Sequence, residues 1–116
     1  MKKMTFLLLF LLLVIPCPAA TIIVDWDGSG DYTTIQAAIN DANEFDTVIV
    51  ADGTYTGAGN RDLDFLGKAI TVKSANGPEN CIIDCEGSSS NQHRGFLFHN
   101  GEGPDSVLDG LTITNG

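Results

Sequence analysis

The sequence predicts an all-β protein that folds as a parallel β-solenoid, in which short strands form coils and each coil pairs with the next. Strands of three to five residues, separated by Gly- and Asn-rich turns, fill residues 69–116 without room for helices between them. Short patterns recur at multiples of about twenty residues. A single amphipathic helix precedes the first buried strand, where it would cover the open end of such a stack.

Two small patterns carry the predicted period. An apolar-apolar-Asp pattern occurs at residues 82–84 and 107–109, and an apolar-Thr-apolar pattern occurs at 70–72 and 111–113. The second pair is 41 residues apart, close to two periods of about twenty. An antiparallel sandwich is the alternative, because it also uses short strands at close spacing. It would need two-residue hairpin links, and only Asp109-Gly110 resembles one.

Residues 1–20 have the layout of a secretory signal peptide, with two lysines, an apolar run of eleven residues and a small-residue exit. The apolar run is shorter than a membrane span requires, so export is expected rather than a retained anchor. Lipidation at Cys17 is a weaker alternative because Pro16 precedes it. We therefore predict a secreted or cell-surface protein whose single domain covers residues 21–116.

The protein is acidic, with a net charge of −9 at pH 7. Removal of residues 1–20 takes away two lysines and no acids, which leaves four basic and fifteen acidic side chains and a charge of −11. This balance disfavours nucleic acid and anionic lipid as partners. An anionic polysaccharide would also be repelled unless a divalent cation lay between, and solubility alone would explain the acidity.

The domain begins with a β-branched strand over residues 21–24 and an acidic, glycine-containing turn over residues 25–31. The turn matches half of a calcium loop, with oxygen-bearing side chains at alternate positions. The last position of such a loop, where a bidentate Glu belongs, holds Gln36. A helix start at Thr33 also comes too early for that loop, so we favour a plain acidic turn and assign no metal ligand.

The predicted helix is about ten residues long, with Thr33 and Gln36 as a capping box. Its apolar stripe consists of Ile35, Ala38, Ile39 and Ala42. A strand buried on both faces is predicted over residues 47–51. Further strands are predicted at 54–56, 69–73, 81–84, 95–99, 106–110 and 111–114, and polar loops at 57–64 and 88–94.

Two cysteines remain after residue 20. On one extended strand, Cys81 and Cys85 would be roughly 13 Å apart, beyond disulfide range, although a turn at Asp84 could change that. We favour Cys81 as a small core residue and Cys85 in a turn. A metal site would need further ligands at close spacing, so neither a metal nor another cofactor is assigned.

Residues 27–39, with the sequence DGSGDYTTIQAAI, resemble the opening of right-handed parallel β-helix proteins of the pectin-lyase-like superfamily, and pectin methylesterases most of all. Residues 46–55 resemble the first-coil strand of those proteins, and residues 69–84 and 106–116 resemble their coil repeats. The resemblance implies that residues 21–116 are an N-terminal cap and the first coils of a right-handed parallel β-helix, in a C-terminally truncated fragment.

The resemblance assigns no catalytic residue. Pectin methylesterases act with two aspartates, a glutamine and an arginine on later coils. Pectate lyases place calcium-binding aspartates and a catalytic arginine or lysine on a later sheet. Neither Lys68 nor Lys73 matches such a position, and we expect Arg61 and Arg94 to be solvated loop charges.

The remaining candidate side chains have plainer interpretations. We expect His93 to be a surface histidine and His99 a turn histidine, because no nucleophile is placed beside either. Trp26 is expected to be exposed and is a candidate for ligand contact. Three aromatic rings could form a sugar-stacking platform, although strand alternation favours the core for them: Phe65, Phe96 and Phe98.

The function expected from these observations is that of an exported protein that binds or processes extracellular polysaccharide, with no active site in this stretch. The alternative is a non-catalytic cell-surface or adhesin-type scaffold on the same fold. About three coils are expected, near the minimum for a stable stack. An uncovered last coil would expose strand edges, so we also expect edge-to-edge self-association.

Overall fold

The computed structural model describes residues 18–116. The predicted signal peptide therefore lies almost entirely outside the described residues, as does Cys17. The described part is a parallel β-solenoid of about three turns with one short helix, which confirms the predicted all-β parallel β-helix. All pairings between its strands are parallel, so the antiparallel sandwich is excluded.

Nine short strands form three sheets that run along the solenoid. Sheet 1 has the order β1-β2-β5-β8, sheet 2 the order β3-β6-β9, and sheet 3 pairs β4 with β7. The helix α1 covers residues Ile35–Asp41. The strands are β1 Thr21–Val24, β2 Thr47–Val50, β3 Gly53–Tyr55, β4 Leu63–Asp64, β5 Thr71–Ser74, β6 Cys81–Asp84, β7 Phe96–Leu97, β8 Val107–Asp109 and β9 Thr112–Thr114.

The coils are longer and less regular than the predicted period. In sheet 1, Thr47 pairs with Thr71, 24 residues later, but Thr71 pairs with Val107, 36 residues later. The segments that lead to β6, β7 and β8 are all longer than the corresponding segments of the preceding coil. The two copies of each recurring pattern do not stack, because they lie in different sheets. The apolar-apolar-Asp pattern falls on β6 of sheet 2 and β8 of sheet 1, and the apolar-Thr-apolar pattern falls on β5 of sheet 1 and β9 of sheet 2. The period of about twenty was wrong.

The core consists of side chains that stack in register from coil to coil. In sheet 1, Val48 lies over Val72, and in sheet 2, Tyr55 lies over Ile83. All four are buried. Strand β2 is buried on one face rather than two, because Ile49 points outward and is only half-buried. Strand β4 was missed in the sequence because its flanks are polar, although Leu63 is fully buried.

Helix α1 lies over the first coil, and its apolar stripe is buried as predicted. The predicted capping box is wrong. The helix is seven residues long, and the side chain of its N-cap residue, Thr34, makes no capping hydrogen bond. Instead, Oδ1 of Asn60 accepts the backbone N–H of Ile35 at 3.0 Å, and the Gly59 carbonyl accepts that of Gln36 at 2.9 Å. The first coil therefore supplies acceptors for the amides at the start of the helix that have no partner within the helix itself.

The first coil also binds the other end of the helix. The ammonium group of Lys68 donates three hydrogen bonds of 2.6–2.9 Å to the carbonyls of Ile39, Asn40 and Ala42. A cation at this end satisfies free carbonyls and complements the negative end of the helix dipole. A helix of seven residues is too short to be stable alone, so these contacts and its buried stripe hold it in place.

Each coil bends at three corners. The first, second and third corners follow the strands of sheets 1, 2 and 3, respectively. The second corner, which follows the strands of sheet 2, uses a left-handed backbone in every coil. Gly57, Glu86 and Asn115 have φ values of 82°, 54° and 53°. Asn adopts this conformation at little cost, whereas Glu does so less readily. The second corner is thus a repeated backbone feature that the side-chain sequence does not reveal.

Candidate functional site

A polar cleft of about 690 Å³ opens on the surface of the described part of the protein. It lies between the loop that precedes β7 and the second corner of the last coil. The residues that line it are mostly polar: Asp62, Gly87, Ser88, Ser89, Gln92, His93, Arg94, Asn115 and Gly116. Serine, amide and guanidinium groups around one cavity can donate and accept hydrogen bonds with a hydroxylated ligand.

Asp62 organises one wall of the cleft. Its backbone is left-handed, with φ of 51°, and its carboxylate contacts the next coil. Oδ1 accepts the Arg94 backbone N–H at 2.9 Å, and Oδ2 lies 2.7 Å from Nδ1 of His93. The Arg94 N–H and then the His93 ring hold the pKa of the Asp62 carboxyl below its usual value.

His93 is held by that carboxylate through Nδ1. Its other nitrogen, Nε2, is buried and has no hydrogen-bond partner in residues 18–116. The side chain is 17% exposed, so the expectation of a plain surface histidine was wrong. The Asp62–His93 bond therefore ties the loop that precedes β7 to the preceding coil.

A second Asp–His pair lies at the other end of the sheet 3 strands. Nε2 of His99 lies 2.8 Å from Oδ2 of Asp64, and Oδ1 of Asp64 accepts the Leu66 backbone N–H at 2.8 Å. The His99 ring is the main cause of the lowered pKa of Asp64. The spacing Asp-x-Asp in one coil, with a histidine on each side of β7 in the next, is the sequence feature that could have revealed both pairs.

The four basic residues considered in the sequence have structural roles or face solvent. Arg61 donates to the Cys85 carbonyl at 3.2 Å and pairs with Glu86 at 3.4 Å, so it is not a simple solvated charge. Lys68 binds the end of α1. Arg94 is exposed at the cleft, and Lys73 is exposed on the outer side of β5.

The aromatic residues divide between core and surface. Trp26 is 61% exposed, as expected, and its indole ring lies against Gly53. Phe65 is fully buried and contacts two rings of the next coil, with centroid distances of 5.9 Å to Phe96 and 4.7 Å to Phe98. Phe98 is 46% exposed, so its assignment to the core was wrong. In the described residues, β7 is the last strand of sheet 3, so no further strand of that sheet covers this end.

The acidic turn uses its own side chains to fix its shape. Asp25 accepts the Ser29 hydroxyl at 3.1 Å, Asp27 accepts the Ser29 backbone N–H at 2.8 Å, and Asp31 accepts the Ile23 N–H at 2.8 Å. Over residues 18–116, no group of three or more His, Cys, Asp or Glu side chains is arranged to hold a metal ion.

Both described cysteines are free and buried. Burial raises the pKa of the Cys81 thiol to about 11 and also raises that of Cys85. Cys81 is a core residue, as expected. Cys85 donates its backbone N–H to the Thr114 carbonyl at 3.0 Å, and so it joins two coils directly after β6. Neither thiol has the accessible, low-pKa character of a nucleophile.

The fold and the cleft together define a parallel β-solenoid protein with a polar side cleft. Comparison with protein-family models, with curated proteins and with solved structures found no match to this protein. In residues 18–116 the helix is too short and too polar to cross a membrane.

Proposed function

We propose that this chain is an exported β-solenoid that binds polysaccharide, and that the polar cleft holds a short segment of the sugar chain. The cleft itself is the observation that carries this proposal, because it gathers Ser, Gln, Arg and Asn side chains around a volume of about 690 Å³. That volume is within the usual range for small-molecule sites and would accommodate a short saccharide segment.

Binding is favoured over catalysis by the state of the titratable groups. Both carboxylate oxygens of Asp62 already accept hydrogen bonds, and Nε2 of His93 is buried. A glycosidase needs two carboxyl groups on opposite sides of the scissile bond, and the cleft lining contains only one. We therefore propose binding, without a catalytic step, for residues 18–116.

The net charge favours a neutral polysaccharide over an anionic one. At −9 overall, the protein repels a polyanion unless a divalent cation bridges the two. The resemblance of residues 27–39 to the opening of pectin-lyase-like proteins supports a plant-type or algal-type polysaccharide, and the N-terminal sequence supports export. A scaffold on a cell surface is the second candidate, supported by the same export pattern and by the stacked coils.

Binding can be tested by affinity electrophoresis and calorimetry with neutral polysaccharides (a β-glucan, a mannan and a xylan) and with polygalacturonate, each with and without calcium. Arg94→Ala changes an exposed cleft residue, and Lys73→Ala removes the same charge from the outer side of β5. We expect Arg94→Ala to weaken binding at least severalfold and Lys73→Ala to leave it unchanged. Equal binding by both variants, or no binding to any polysaccharide, would overturn the proposal.

A further inference from the structure

The structure places an asparagine of one coil over an aspartate of the preceding coil at all three corners. Each asparagine donates one hydrogen bond of 3.0–3.2 Å from its side-chain amide to the carboxylate below it: Asn76 to Asp52, Asn100 to Asp64, and Asn115 to Asp84. An amide suits this position because it is a neutral donor. A carboxylate there would face another carboxylate in a protein that is already strongly acidic.

All three asparagines are exposed, and glycine follows each of them. This dipeptide permits an intramolecular reaction, because a glycine backbone has no side chain to hinder it. The backbone nitrogen of the glycine attacks Cγ of the asparagine and a new C–N bond forms. The bond between Cγ and the amide nitrogen Nδ2 breaks, which releases ammonia. Water then opens the cyclic imide to aspartate or isoaspartate. Water is the only co-reactant, and no oxidant or reductant is required.

The structure distinguishes two of these sites by the state of the attacking nitrogen. The Gly77 N–H donates to Oγ of Ser74 at 3.0 Å, so the proton that this nitrogen must lose is held in a hydrogen bond. Among residues 18–116, the Gly101 N–H has no acceptor. Both asparagines must give up the side-chain hydrogen bond to their aspartate, but reaction at Asn76 must also break the bond of the attacking Gly77 nitrogen.

We propose that Asn100 is a site of spontaneous deamidation in the folded protein and that its conversion loosens the third corner. The product carboxylate would lie beside Asp64, whose Oδ1 now accepts the Asn100 amide, and near Glu102, which accepts the Asn100 backbone N–H at 2.8 Å. Three carboxylates would then share one corner, with His99 as the facing basic group. An isoaspartate would in addition lengthen the backbone and shift the turn.

The rates can be measured on the folded protein at mildly alkaline pH by peptide mapping, with the same protein in denaturant as the reference. Relative to its own rate in denaturant, Asn100 should react about fivefold faster than Asn76, the factor expected from one hydrogen bond. Ser74→Ala removes the acceptor of the Gly77 N–H and should raise the rate at Asn76 alone. Equal protection of the two sites, or no effect of Ser74→Ala, would overturn the assignment.

The effect on the third corner can be tested separately with Asn100→Asp and the amide-preserving control Asn100→Gln. Thermal unfolding should show a lower midpoint for Asn100→Asp than for Asn100→Gln. The aged wild-type protein, separated into modified and unmodified fractions, should show the same order and does not depend on either variant folding. Identical midpoints for the two fractions would show that the modification does not loosen the corner.

Discussion

The side chain of Gln36 forms two hydrogen bonds with the backbone of Asp64. Oε1 accepts the Asp64 N–H at 2.8 Å, and Nε2 donates to the Asp64 carbonyl at 3.0 Å. A neighbouring strand would offer the same donor and acceptor, so the glutamine amide takes the place of a strand at the edge of β4. The helix thereby closes the hydrogen bonding of sheet 3, in addition to covering the core.

Gln36→Ala should lower the free energy of unfolding by about 1–3 kcal/mol, because it leaves both backbone groups of Asp64 without their partners. Asn40→Ala is the matched control. Asn40 is exposed, and its side-chain oxygen accepts a hydrogen bond from the Gln36 amide. Because Asn40→Ala removes only this exposed bond and leaves both bonds between Gln36 and Asp64 in place, it should change stability by no more than about 0.5 kcal/mol. Chemical denaturation of the three proteins measures both values. Equal losses in the two variants would contradict the role of Gln36 as a substitute strand.

The sequence predicted the elements of this fold better than their connections. Strands β1, β2, β5 and β6 were predicted because β-branched residues and alternation are local properties. Gln36 was identified as important but was assigned to a capping box, since its true partner is 28 residues away. The three hydrogen bonds from Lys68 to the helix end were missed for the same reason.

The candidate site was predicted less well, because it consists of contacts between coils. Asp62 and His93 are 31 residues apart, and no period of about twenty would have placed them together. The uneven coil lengths can be determined only from the strand pairings of the structure, not from the sequence. Local chemistry identified the histidines as isolated residues, whereas the stacking of coils gives each of them a carboxylate.

Acidification should destabilise the protein, and Asp46 should contribute to that loss. In the chain that retains Ala20, this buried carboxylate accepts the backbone N–H groups of Ala20 and Asn43 at 2.7 and 2.8 Å, which lowers its pKa below the usual 3.8. A folded-state pKa below the unfolded value stabilises the fold above the unfolded pKa. That stability is lost as the pH falls through the folded pKa, so the loss begins near pH 4 and continues below it.

The variant Asp46→Asn should be less stable than the wild type at pH 7 and should show a weaker dependence of stability on pH below 5. Asp105→Asn is the control, because Asp105 is exposed in the turn before β8. Urea unfolding at a series of pH values measures the dependence. A slope in Asp46→Asn as steep as in the wild type would show that this carboxylate does not contribute.

Gly53→Ala should destabilise the start of sheet 2 and disturb Trp26. Gly53 has φ of 146°, and a Cβ at this position would lie 2.5 Å from Nε1 of the indole ring. Both the backbone strain and the steric clash oppose the substitution, and we expect a loss of about 1–3 kcal/mol. Trp26 is the single tryptophan of the protein, so its fluorescence reports the displacement directly.

Gly28→Ala is the control for backbone strain without a clash. Gly28 also has a positive φ, of 88°, but nothing lies within 4 Å of the position that a Cβ would take. Its substitution should cost less than Gly53→Ala and leave the emission spectrum closer to that of the wild type. A larger spectral shift for Gly28→Ala would contradict the contact between Gly53 and the indole ring.

A polypeptide that comprises only residues 1–116 should self-associate through the open end of its last coil. Strands β8 and β9 each pair with a single strand in the described residues, and Ile113, which stacks on Ile83, is 42% exposed. An apolar ladder next to unpaired backbone groups favours the addition of another strand. Ile113→Lys places a charge in the stacking plane, the open end of the coil stack on which the side chains of an added strand would lie. Val107→Lys adds the same charge on the outer side of β8. Light scattering over a concentration series should show association of the wild type and of Val107→Lys, and a marked reduction for Ile113→Lys. A wild type that stays monomeric at every concentration, or two variants that behave alike, would contradict association through the stacking plane.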